Sequence, residues 1–181
     1  MTTVKSNSGV EEKIRKAYKG GITEELQLLS GTKLFKFSSY DAANTNGGVT
    51  AWWTEISELP GILQSAMKEK KMLEHYVRDS NAVLRQWNGL NSLIVIELTK
   101  NMTAYKGEIA SQNEASSYMD RNDPNYKKKF TKPVFFVGGN QQVYINNISS
   151  NDFKVIIPSG TISSYDNIND IVNFLKSFHI I

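Results

Sequence analysis

The chain has 181 residues, 40% hydrophobic and 22% charged, with a formal net charge of +3 and no cysteine. This composition suits one globular domain with a substantial core. It excludes disulfides, thiolate metal sites and a cysteine nucleophile, and its charge is too small to argue for nucleic acid.

The first residues, MTTVKSNSGVEEK, contain no apolar h-region, and no stretch reaches the ~18 apolar residues of a membrane span. Residues 1–8 read as disordered. A chain of this kind that leaves its cell would need another segment or machine to carry it. Residues 9–30 read as N-terminal helices. Val10, Ile14 and Ala17 share one side of the first, and Gly20-Gly21 breaks it. Thr23 is placed to cap a second, Glu24 to Leu29, with acids at its positive end.

Residues 31–160 read as a β-rich core. Lys33 to Ser38 alternates, with Phe35 and Phe37 on one face and Leu34, Lys36 and Ser38 on the other. A polar loop over 39–48 leads to a short strand at Trp52-Trp53-Thr54. Pro60-Gly61 reads as a turn. From Ile62 to about Leu84 the pattern is helical, in two pieces. Ser92 to Thr99 is a strand, and its Leu93-Ile94-Val95-Ile96 run predicts burial on both faces. Further strands are expected over 105–110, 134–137, 141–146 and 153–157. Arg121 to Asn125 reads as a loop leading into Lys127-Lys128-Lys129, a solvated basic run. Residues 161–181 form a C-terminal extension, with an amphipathic helix over 170–178. The class is α+β: a compact mixed or antiparallel β core with N-terminal helices, a helical insertion and a C-terminal helix.

Chemistry-bearing motifs are few. His75 and His179 lack metal-ligand spacing and no acidic cluster resembles a cation site, so no metal is expected. GxGxxG, P-loop and GxSxG patterns are absent. What remains is binding through amides, guanidinium and aromatic faces. Arg78 offers a planar fork that fits phosphate, with a carboxylate-paired surface arginine as the alternative. One of Trp52 and Trp53 must face inward and the other outward, and we assign Trp53 to the ligand. Gly138-Gly139 permits a positive-φ turn and close approach of a ligand. Gln142 then leaves the core face as Val143 and Ile145 enter it. Gln112 ends the strand that carries Gly107 and reaches the same cleft. Glu97 is drawn toward an apolar face, where its pKa rises unless it is paired. Glu108 is the second acid considered for catalysis, with pairing across the sheet as its alternative.

The segments GGVTAWWTE (47–55), HYVRDSNAVLRQWN (75–88), YKGEIASQ (105–112) and FFVGGNQQVYI (135–145), in that order, resemble C-terminal toxin domains of bacterial polymorphic toxin systems. The GGNQQV stretch also resembles a motif of the tuberculosis necrotizing toxin group, which are NAD glycohydrolases on a core related to ADP-ribosyltransferases. The resemblance spans about 31–160. It implies an ADP-ribosyltransferase-like fold and NAD as substrate without a metal. It also implies delivery into a target-cell cytosol and a cognate immunity protein, with a target macromolecule as a further partner to be considered. By it Gln142 matches the group's active-site Gln, and Arg78 an essential Arg. Lys36 stands where many ADP-ribosyltransferases carry an Arg on the first strand. No Glu-x-Glu pair can be placed, which weakens protein modification and leaves room for NAD hydrolysis. A toxin nuclease gripping phosphates through Arg121 and Lys127–Lys129, and a non-enzymatic interaction module, stand as alternatives.

Overall fold

A computed structural model describes residues 11–43, 49–115, 117–119, 125 and 127–181. The expectations for residues 1–8, for the 44–48 part of the polar loop and for 121–124 lie outside them. The centre is a seven-stranded sheet in which every pairing is antiparallel. Its strands are β1 (Glu24–Leu28), β2 (Lys33–Ser38), β3 (Trp52–Glu55), β4 (Ser92–Leu98), β5 (Met102–Glu108), β10 (Gln141–Tyr144) and β11 (Phe153–Ser163), in the order β1-β5-β10-β3-β2-β4-β11. Two short ladders lie outside it: β6 (Gln112–Glu114) with β9 (Val134–Phe136), and β7 (Ser117–Met119) with β8 (Lys128–Phe130). The helices are α1 (Glu12–Arg15), α2 (Leu59–Lys68), α3 (Leu73–Ser80) and α4 (Ile168–Ser177).

The alternation of each strand sorts its side chains between two cores. Phe35, Phe37, Leu93 and Val95 pack beneath α2, α3 and α4, meeting Leu63, Val77 and Leu175. Leu34, Ile94 and Ile96 enter the opposite cluster with Trp53, Val143 and Ile145. The Leu93–Ile96 run is therefore buried on both faces, as its continuous apolar character requires. A third cluster joins Ile14, Tyr18, Leu84, Ile109 and Phe136.

Two local expectations fail, and a third holds in part, since the basic run is solvent-exposed as expected but enters a strand. Glu24–Leu28 is a strand, not a helix, because it pairs along its length with β5, from Glu24–Lys106 to Leu28–Met102. Pro60-Gly61 is not a turn. It opens α2, where a proline forfeits no helical hydrogen bond. The basic run Lys127–Lys129 enters β8, and Lys128 lies over the Phe130 ring.

Strand β3 positions the site. Its Trp52 and Trp53 pair with Tyr144 and Val143 of β10. Its Thr54 and Glu55 pair instead with Phe35 and Leu34 of β2. Beyond Phe35 and Thr54 the strands β2 and β3 no longer pair with each other, so the sheet splays there.

Candidate functional site

A cleft of about 230 Å³ occupies the splay. Phe35, Lys36 and Phe37 line one side, Trp52, Thr54 and Gln142 another, and Asn81 to Leu90 contribute the rim. Gln112 and Tyr40 also reach it.

Gln142 arrives there by strand parity. Val143 and Ile145 are 1% and 0% exposed in the core cluster behind the sheet. Gln142 and Tyr144, one residue out of phase, face the other way. The Gly-Gly turn before Gln142 is braced on the end of α3. Gly138 N–H donates to the Asp79 carbonyl at 2.9 Å and Asn140 N–H to that of Ser80 at 3.0 Å. The Asn140 amide donates to Ser80 Oγ at 2.9 Å and Asn81 Oδ1 at 2.8 Å. Gly138 and Gly139 have φ of 74° and 103°, and a Cβ on Gly138 would lie 2.5 Å from the Ile109 carbonyl oxygen. The glycine requirement at Gly138 is thus one of backbone packing, and that at Gly139 rests on its positive φ alone. Neither residue lines the cleft, which corrects the expectation that they admit a ligand.

The tryptophan assignment also changes: both tryptophans line the cleft, but Trp53 does so with its ring buried in the core. Trp53 is 1% exposed and its ring packs among Leu34, Ile96 and Phe153. Its indole N–H donates to the Thr50 carbonyl at 2.7 Å. Trp52 is the cleft-facing ring, half-buried and edge-on to Tyr144 with centroids 5.1 Å apart. Tyr18 also packs against it, tilted, with centroids 5.5 Å apart. Gly107, expected to admit a ligand, makes room for this ring: a Cβ there would sit 2.6 Å from Tyr18 Cδ1.

Arg78 does not present a free fork. It is 6% exposed, and its guanidinium is bound to Glu74 one turn back on α3. Its remaining N–H groups donate to the carbonyls of Val83 at 3.1 Å, Asn88 at 2.9 Å and Gly89 at 3.2 Å. Arg78 therefore fixes the rim instead of touching the cleft: the carboxylate pairing given as the alternative holds, through Glu74, but at a buried position instead of the surface. Asn88 continues the brace. Its side chain accepts from Ser39 N–H at 2.8 Å and Leu90 N–H at 2.9 Å, and donates to Ser38 Oγ at 3.0 Å.

Glu108 is outside the cleft, paired with Lys19 at 2.8 Å. Glu97 sits between Lys154 at 2.8 Å and Lys33 at 3.4 Å. The Lys154 hydrogen bond holds its carboxyl below the ordinary range. The expected rise does not occur because the acid is paired.

Lys36 is the charged side chain that lines the cleft. Its ammonium donates to Thr50 Oγ1 at 3.1 Å and to the Trp52 carbonyl at 3.3 Å, an oxygen that the splay leaves without a β2 partner. Burial lowers its pKa from the ordinary 10.5 to about 8. The chemistry on offer is one cation, neutral amides from Gln112, Gln142 and Asn81, and flat aromatic walls. That set can neutralise an anion, hydrogen-bond a polar group and stack a ring.

Among the described residues no group of three or more His, Asp and Glu side chains could hold a metal, and no helix is long and apolar enough to cross a membrane. Sequence reasoning missed Tyr40, Asn81 and Trp87 as cleft residues. Trp87 stood inside a quoted motif, but only the brace from Arg78 reveals that its loop returns to the cleft.

No known family matches the chain, and neither does any curated protein. Among solved structures it is similar to one described as Rhs1-CT in complex with cognate immunity protein RhsI1. That match has 14% identity and a TM-score of 0.45 over 76% of this chain and 80% of that one. It is also similar to Tne2 in complex with Tni2, at 13% identity and TM-score 0.39 over 76% and 90%.

Proposed function

We propose that this chain is a toxin domain that consumes NAD by cleaving its nicotinamide–ribose bond, and that a cognate immunity protein neutralises it. The observation that carries the reading is the cleft at the sheet splay, where Gln142, Trp52 and Lys36 converge on one cavity. The motif resemblance to NAD-consuming toxins supplies the reaction; of its two matched residues Gln142 lies in this cleft and Arg78 does not, and Lys36, which stands where many ADP-ribosyltransferases carry an Arg, lines the cleft with Gln142.

The chemistry suits these groups. Breaking the bond releases neutral nicotinamide and leaves positive charge on the ribose. Attack by water at the same carbon yields ADP-ribose and a proton. No redox partner or metal is required. Rate enhancement comes from orientation and from groups placed where charge develops. Gln142 supplies an amide oxygen and two N–H donors for the ribose or the carboxamide. Lys36 sets a positive charge against the diphosphate. Trp52, held by Tyr144 edge-on and by the tilted ring of Tyr18, gives the nicotinamide a fixed apolar wall.

The test is incubation of the purified chain with NAD, with separation of the products. Equal amounts of free nicotinamide and ADP-ribose support hydrolysis. Nicotinamide release that appears only with an added protein or nucleic acid, and leaves ADP-ribose attached to it, makes the chain a transferase. Intact NAD in both arms overturns the reading.

A further inference from the structure

The rim of the cleft carries two large rings that the core does not use. Trp87 is 49% exposed and Tyr40 43% exposed, and both line the cleft. A single exposed ring is ordinary, but two large rings exposed together at the mouth of one cleft form a patch of the kind that marks a binding groove. Among the described residues Trp87 has no aromatic neighbour, unlike Trp52 and Trp53. Yet its loop is held firmly. Arg78 binds the carbonyls of Val83, Asn88 and Gly89 on either side of it, and Trp87 N–H donates to the Leu84 carbonyl at 2.9 Å. Tyr40 is tied to the same rim. The preceding Ser39 donates its N–H to Asn88, and its Oγ accepts from Gly89 N–H at 3.2 Å. Two flat side chains are therefore presented at one mouth on segments that brace each other.

We infer that Trp87 and Tyr40 form a base-stacking subsite that takes the purine ring of an adenine nucleotide. The inference rests on the reading of the cleft as a dinucleotide site. Gln142 and Trp52 lie on the sheet, where the bond to be broken has to be held. The far end of the same ligand then reaches the mouth, and a purine is the larger of its two rings. The subsite would set preference for the full dinucleotide over its nicotinamide half.

Titration calorimetry with AMP and with adenosine tests this on the wild type, Trp87→Ala and Trp87→Phe, with thermal midpoints confirming that each is folded. AMP is expected to bind the wild type. Trp87→Ala should weaken both probes by about tenfold or more, the worth of a lost base stack. Trp87→Phe keeps a flat face and should stay within about threefold. No AMP binding by the wild type, or unchanged binding by Trp87→Ala, overturns the subsite. The latter result is what a tryptophan reserved for a protein partner would give. AMP carries no nicotinamide bond, so the result is independent of whether NAD is cleaved. AMP held through Trp87 beside uncleaved NAD would sink the reaction and keep the subsite. NAD cleaved with AMP indifferent to Trp87 would do the reverse.

Discussion

At the scale of single residues, the cleft separates groups that serve the ligand from groups that serve the fold. Gln142 is half-buried, and its neighbours Val143 and Ile145 do the packing. Gln142→Ala should lower nicotinamide release by two or more orders of magnitude, roughly 3 kcal/mol of transition-state stabilisation. Its denaturation midpoint should move little; a matching loss of stability would reveal a structural residue. Lys36 makes the opposite kind of prediction. Its folded pKa of about 8 lies below the ordinary 10.5. Below about pH 8 it is charged in both states, so the cost of burying it is fully present. Between about 8 and 10.5 the unfolded chain binds a proton that the folded chain has lost, and stability rises with pH. Lys36→Met removes that cost along with two hydrogen bonds. It should raise stability at pH 7 by about 1 kcal/mol while weakening any anionic ligand. Anion binding by the wild type should fall as pH climbs past about 8. A flat affinity profile from pH 7 to 9.5 would remove Lys36 from the site.

At the scale of elements, the rim depends on a buried ion pair at the end of α3. Removing one partner of such a pair leaves the other charged and buried, at about 3–5 kcal/mol. Arg78→Ala should therefore unfold or loosen the chain, measurable as an early denaturant midpoint. A stable, inactive Arg78→Ala would restore the phosphate role. Trp53→Ala should cost about 3–5 kcal/mol, as core aromatics do. Trp52→Ala should cost less stability and more activity; chemical denaturation of both variants decides between them. Parity along β3 showed in the sequence that the two tryptophans part company, but not which face was the core. That choice is made by β10 and the residue after it, whose Val143 and Ile145 join the cluster that holds Trp53. The strand β1 was illegible for a related reason. Glu24-Glu25-Leu26-Gln27-Leu28 is built of good helix formers, and only pairing with β5 overrides that local preference.

At the scale of the whole molecule, the fold class was readable because strands with period-two burial and helices with one apolar stripe are local patterns. The splay was not. It arises because β3 is four residues long and divides its pairing between β10 and β2. That is a fact of tertiary pairing with no signature in one strand. The rim is similar, since Arg78 joins carbonyls up to eleven positions away. Gln142 was found from the turn chemistry before it, while Tyr40 and Trp87 needed the folded chain. The central claim is that this cleft cleaves NAD through Gln142. The most direct measurement is nicotinamide release from NAD by the wild type and by Gln142→Ala, at matched folded concentration. The account predicts steady release by the wild type and a loss of at least a hundredfold in the variant. Equal release by the two proteins, or none by the wild type, would contradict it.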